Sequence, residues 1–143
     1  MEIALQQALL ARELGEVPIG AVVVSEDGRV IGLGHNRRET ANDATAHAEI
    51  MAIRAAGRTR GDWRLVGCTL YVTVEPCLMC AGAIQLSRMA HVVYGAQNPK
   101  GGALESLFDA YGVQGLNHYP VVTAGILAPK CGMMLKDFFR EQR

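Results

Sequence analysis

Apolar and polar positions recur along this chain with two periods, and each change of period marks a predicted element. Ile3, Leu5, Leu9, Leu10 and Leu14, with Ala4, Ala8 and Ala11, fall at near-helical spacing, and Gly15 offers a stop. Short β-branched runs follow. Ile19 to Val24 and Val30 to Leu33 flank Glu26-Asp27-Gly28, whose Asp-Gly pair has the backbone freedom of a tight hairpin turn. His35 to Ala44 is polar and reads as a surface loop. Thr45 to Gly57 is predicted as a helix, capped by Thr45 or Asp43, with Ile50, Met51 and Ile53 on its apolar side and Gly57 at its end.

Arg58, Arg60 and Arg64 then surround Gly61 and Trp63 in a second surface loop. Thr69 to Val74 is continuous enough in apolar character to be a central strand. Pro76 suits the first position of a helix running to about Ser87, because its missing N–H has no partner there in any case. Ala90 to Tyr94 predicts another strand, Ala103 to Tyr111 a short helix, Tyr119 to Ala124 a last strand, and Lys130 to Arg143 a terminal helix. Helices alternating with five short strands predict an α/β fold, a three-layer α/β/α sandwich around a central mixed five-stranded sheet. The opening hairpin makes at least one strand pair antiparallel. No repeat or linker interrupts the pattern, so residues 1–143 are expected to form a single domain.

Charge adds one constraint. Fourteen basic and fourteen acidic side chains cancel, so any nucleic-acid binding must come from a local patch, with Arg37, Arg38, Lys100 and the terminal helix as candidates. Met1 to Gly15 carries Glu2 where a leader would be basic and lacks a long apolar core, which predicts neither a secretory signal nor a transit peptide. No apolar run approaches the roughly 20 residues of a membrane span. The expectation is a cytoplasmic protein with no membrane partner. There, the four cysteines argue against a disulfide framework.

Those cysteines fall into two kinds. Cys68 and Cys131 are isolated and read as buried thiols, whereas Cys77 and Cys80 share one helix face just after Pro76. A helix start favours thiolate, most at Cys77. Upstream, His47-Ala48-Glu49 adds a neutral imidazole and a carboxylate. Three chemistries fit such a set: a redox pair, a closed structural zinc site, or an open catalytic one with water in the fourth position. A closed site needs a fourth ligand, and Cys68, Cys131, His35, His91 and His118 are each available only singly. The His-x-Glu and Pro-Cys-x-x-Cys motifs, in this order, favour the open site. One geometric question stays open, since residues two apart on a helix diverge by roughly 200°. For His47 and Glu49 to serve one pocket, the first turn must overlie it.

Thr45-Ala46-His47-Ala48-Glu49, followed by Glu75-Pro76-Cys77-Leu78-Met79-Cys80, resembles the zinc-dependent nucleobase deaminases, whose fold is cytidine deaminase-like. Within that class the chain is most similar to the bacterial tRNA wobble-adenosine deaminases. The likeness extends to Glu16-Val17-Pro18-Ile19-Gly20-Ala21-Val22, His35-Asn36-Arg37, Ala81-Gly82-Ala83-Ile84, Asn117-His118 and Asp137-Phe138-Phe139-Arg140. It implies that His47, Cys77 and Cys80 hold one Zn²⁺ per subunit and that Glu49 is the catalytic acid and base. It implies that Asn36 and the Ala48 backbone amide face the base. It also implies a homodimer that takes a tRNA anticodon loop, with contacts sought at Lys100, Asn117, His118, Phe138, Phe139 and Arg143. Asn98 departs from the family, whose members commonly carry Asp there, and this bears on substrate discrimination in its loop. Two other functions remain: deamination of a free base such as guanine or cytosine, and a non-enzymatic zinc-stabilised binding module.

Overall fold

The computed structural model describes residues 1–142. Five strands form one sheet in the order β2-β1-β3-β4-β5: β1 (Gly20–Val24), β2 (Val30–His35), β3 (Thr69–Val74), β4 (His91–Ala96) and β5 (Val121–Thr123). Both pairings of β1 are antiparallel, while β3-β4 and β4-β5 are parallel, so the sheet is mixed. Helices α2 (Ala48–Arg60) and α3 (Leu78–Leu86) cover one face, and their Ala48, Ala52, Ala56, Ala81 and Ile84 pack with Val23, Leu70, Val72, Val92 and Tyr94 in the main core. Helices α1 (Glu2–Glu13) and α4 (Ala128–Glu141) lie on the other face, where Leu5, Ala96 and Cys131 make a smaller cluster. Arg12 pairs with Glu141, and Lys130 with Glu2 at 3.3 Å, which ties these two helices together at the surface.

Small residues set how closely α2 approaches the sheet. Ala48, Ala52 and Ala56 repeat every four residues, form one fully buried stripe, and face β2. A Cβ on Gly34 would stand 2.2 Å from the Ala48 carbonyl oxygen and 2.5 Å from the Ala52 nitrogen. Main chain therefore lies on main chain at this seam, and the start of α2 is held against the end of β2.

Several element boundaries differ from the sequence expectation, each for a local reason. Helix α2 passes through Gly57 and ends at Gly61, because Gly61 and not Gly57 takes the left-handed conformation (φ 72°) that stops a helix. Its N-cap is His47, with no side-chain cap; Asp43 instead accepts hydrogen bonds from the Thr45 N–H and hydroxyl in the turn before it. Pro76 is not the first helical residue either. Cys77 is the N-cap of α3, in extended conformation, and Leu78 is the first residue inside. No helix forms over 103–111, where the chain turns instead. The Leu107 and Phe108 N–H groups both turn back to the Gly102 carbonyl, at 2.9 and 3.1 Å, and the Ala110 N–H to that of Ala103 at 2.8 Å, so these bonds close wider turns than the four-residue step of a helix.

Candidate active site

Two helix starts meet at one point. His47 and Cys77 are the N-caps of α2 and α3, and both have extended backbones. This answers the question of divergence on a helix, because His47 is not yet helical. Its side chain can therefore share a cavity with Glu49, the second residue inside α2. His47 Nδ1 stands 3.6 Å from Cys77 Sγ and 3.5 Å from Cys80 Sγ, and the ligand atoms of the three residues all lie within 4.8 Å of one another. With Zn–S of about 2.3 Å and Zn–N of about 2.0–2.1 Å, neighbouring N and S ligands of a tetrahedral ion stand roughly 3.5 Å apart. The set therefore fits zinc, and three ligands leave the fourth position open.

Electrostatics sharpen the arrangement. A hydrogen bond from the Cys80 thiol, with further help from His47, outweighs burial and pulls the Cys77 thiol down to about 4. Cys80 moves the other way, since it shares a proton with that thiolate and is buried beside Glu49. The hydrogen bond to Cys77 raises His47 above its ordinary value. Glu49 is 4% exposed, and burial pushes its carboxyl up to about 7. A carboxyl poised near neutrality can both accept and return a proton.

The cavity over this cluster has a volume of about 180 Å³, with walls that include Val17, Ile19, Asn36, His47, Glu49 and Asn98. It falls below the roughly 300–1,000 Å³ of pockets that enclose a drug-sized ligand, so it suits one flat ring system with the rest of the substrate outside. Asn36 is held in a fixed orientation: its Nδ2 donates to the Val17 carbonyl at 3.2 Å, and its Oδ1 accepts from the Arg38 N–H at 3.2 Å. Ala48 also lines the cavity, and its N–H belongs to the first turn of α2, where amides have no intrahelical partner.

The remaining sequence-predicted contacts are not gathered there. Lys100 is exposed on the loop after β4. Asn117 accepts a hydrogen bond from Gln85 Nε2 at 2.7 Å, and His118 Nε2 donates to the Met89 carbonyl at 2.6 Å. Phe138 is buried, edge-to-face with the exposed Phe139 at 5.4 Å between ring centres. Arg143 lies outside the described residues. Of the basic patch, Arg38 reaches the cavity wall, while Lys130 and Arg140 are paired with Glu2 and Asp137.

Sequence reasoning gave no role to two buried carboxylates that shape this site. Glu16, 1% exposed, accepts hydrogen bonds from the Glu39 and Thr40 N–H groups at 3.1 and 2.6 Å and so fixes the loop after β2. Glu75, 2% exposed, holds the loop after β4. A carboxylate closing an apolar strand run, just before Pro76, was the available signal for the second.

Comparison with known proteins agrees with this geometry. Residues 1–96 match the family model described as the cytidine and deoxycytidylate deaminase zinc-binding region. The chain is 50% identical, over all 143 of its residues and 88% of the relative, to the tRNA-specific adenosine deaminase of Bacillus subtilis (strain 168). A solved structure from work on A-to-I editing by tRNA:A34 deaminases at the wobble position of transfer RNA superposes with TM-score 0.90. It shares 49% identity and covers 94% of this chain and 97% of that one. Guanine deaminase from Bacillus subtilis superposes less closely, with TM-score 0.64 at 31% identity, over 98% of this chain and 90% of that one.

Proposed function

The chain belongs to the cytidine and deoxycytidylate deaminase zinc-binding family, and from that premise we propose that it converts adenosine to inosine at the wobble position of a tRNA anticodon. The observation that carries the substrate is likeness over the whole chain, 50% over 143 residues, to a tRNA-specific enzyme. The site supports the chemistry. Bound zinc at His47, Cys77 and Cys80 supplies the Lewis acidity that makes a water nucleophilic near neutral pH.

The chain's own residues do the rest. Glu49 takes a proton from the attacking water and passes it to the ring nitrogen, then takes the second proton from the hydroxyl now on the base and passes it to the departing amine. Adenosine and water thus become inosine and ammonia. Asn36, locked by Val17 and Arg38, presents its amide to the base edge, and the Ala48 N–H offers a second donor. Walls that admit one ring system require the base to be splayed out, which an unpaired anticodon loop permits at little cost. Exposed Lys100 and Phe139 are suited to phosphate and base contacts on the flanking nucleotides.

The protein acts in the cytoplasm as a homodimer in which each 143-residue chain is one deaminase unit. Leu78 and Leu86, 51% and 63% exposed and two turns apart on α3, support a partner surface there, as do exposed Leu107 and Phe108 on the loop after β4. The test is incubation of zinc-loaded protein with tRNA bearing adenosine at the wobble position, with free adenine, guanine and cytosine in parallel. Inosine in the tRNA is the expected product. Ammonia from a free base with no inosine in RNA would replace this reading with a free-base deaminase.

A further inference from the structure

The loop after β4 is wrapped around a single carboxylate. Glu75 Oε2 accepts the N–H groups of Leu104 (3.1 Å), Glu105 (2.8 Å) and Ser106 (2.9 Å), while Oε1 accepts the Asn98 N–H (3.2 Å) and the Ser106 hydroxyl. The Ala103 N–H donates to the Pro76 carbonyl at 2.8 Å, so the loop also grips the next residue of the corner. Asn98 closes its own turn, its carbonyl accepting the N–H groups of Gly101 and Gly102 at 3.3 and 2.7 Å. Gly102 passes so close that a Cβ there would stand 2.4 Å from the Glu75 carboxyl carbon.

Two residues beyond Glu75 is the metal ligand Cys77, and at the far end of the wrapped loop is Asn98, a wall of the cavity. We propose that Glu75 is a positioning residue for substrate binding: it fixes Asn98 and the turn that follows against the strand-to-helix corner, so that the cavity mouth is formed before substrate arrives. The proposal rests on the deaminase reading for its kinetic arm and is independent of that reading for its structural arm.

The two oxygens make it testable by one atom. In Glu75→Gln the three N–H donors of Leu104, Glu105 and Ser106 hold the remaining carbonyl oxygen at the Oε2 position. The new amide nitrogen then faces the Asn98 N–H, donor against donor, while the Ser106 hydroxyl can reverse and accept. The damage falls at Asn98. By NMR amide exchange on the zinc-loaded full chain, Asn98, Gly101 and Gly102 should exchange at least tenfold faster, with Leu104 to Ser106 still protected. With a wobble-adenosine stem-loop, KM should rise about tenfold with kcat within about twofold and zinc content unchanged. A purely structural role would not divide KM from kcat in this way.

Ser106→Ala, which removes the hydroxyl bond alone, should shift both readouts in the same direction by about two- to threefold, and it serves if Glu75→Gln does not fold. Unchanged exchange at Asn98 in both variants overturns the proposal. So does a fall in kcat that tracks lost zinc, which would make Glu75 a support of the metal corner instead. If the wild-type chain fails to convert the stem-loop, the assignment of tRNA fails while the exchange measurement still decides the role of Glu75.

Discussion

Glu49 and Glu75 are near twins in position and opposites in behaviour. Each lies two residues from a metal ligand, His47 or Cys77, each is under 5% exposed, and both line the same cavity. What separates them is the number of donors within reach. Glu75 collects four backbone N–H groups and a hydroxyl, which outweigh burial and hold its carboxyl below the usual value. Glu49 has its own N–H and the neighbouring thiol, too little to offset burial, and its carboxyl is pushed up to about 7. The difference teaches that a buried carboxylate well solvated by main-chain N–H groups keeps its charge and suits a strut, while one short of donors is poised to exchange a proton.

The sharpest way to break the comparison is to remove each side chain in turn. Glu49→Ala should lower kcat for inosine formation by about 10³-fold, within the range for loss of a general acid-base group. Zinc content, measured by metal analysis, should stay at that of the wild type. Its unfolding free energy should move by less than about 1 kcal/mol. Glu75→Ala should invert the pattern. Four N–H groups lose their acceptor, and chemical denaturation should show a loss of about 3 kcal/mol. Should Glu49→Ala prove the more destabilising of the two, the division into strut and acid-base group fails.

The smallest effect lies in acid. The folded value of Glu75 is below 4.5, so its contribution to stability is complete at neutral pH and down to about that value. It is lost as pH falls through the depressed folded value. Glu16, for which hydrogen bonds from Thr40 and Glu39 likewise outweigh burial, adds to the same slope. Urea midpoints measured from pH 7 to pH 3 should therefore fall less steeply for Glu75→Gln than for the wild type. Parallel slopes would mean that Glu75 does not carry its charge in the folded state.

Much of this molecule was legible in its residues. Thr69–Val74 was read to the residue because a continuous apolar and β-branched run in the middle of a sheet has a sharp compositional edge. The metal set was legible because ligand chemistry and spacing are local, whatever the tertiary packing. Helix starts were not. Pro76 allows a helix to begin at its own position, but Cys77 keeps an extended backbone and the helix begins at Leu78. The turns over 103–111 were missed for a deeper reason, since the carboxylate that anchors the Leu104, Glu105 and Ser106 N–H groups lies about 30 residues away in sequence. Periodicity registers apolar faces; it is blind to a single distant carboxylate.

The seam between Gly34 and the start of α2 has a bearing on how such a site could be redesigned. Side-chain cores are forgiving because rotamers can rearrange, and a library that varies Leu70 or Ile84 samples many packings around a fixed backbone. Where an alanine stripe meets glycine main chain, there are no rotamers to sample. The depth at which His47 and Glu49 stand in the cavity is thus set by a contact that ordinary core variation does not reach. Any enlargement at residue 34 would lift the whole helix end, imidazole and carboxylate together, off the thiolate pair. Engineering leverage over this site therefore sits in its least conspicuous residues, those with no chemistry of their own.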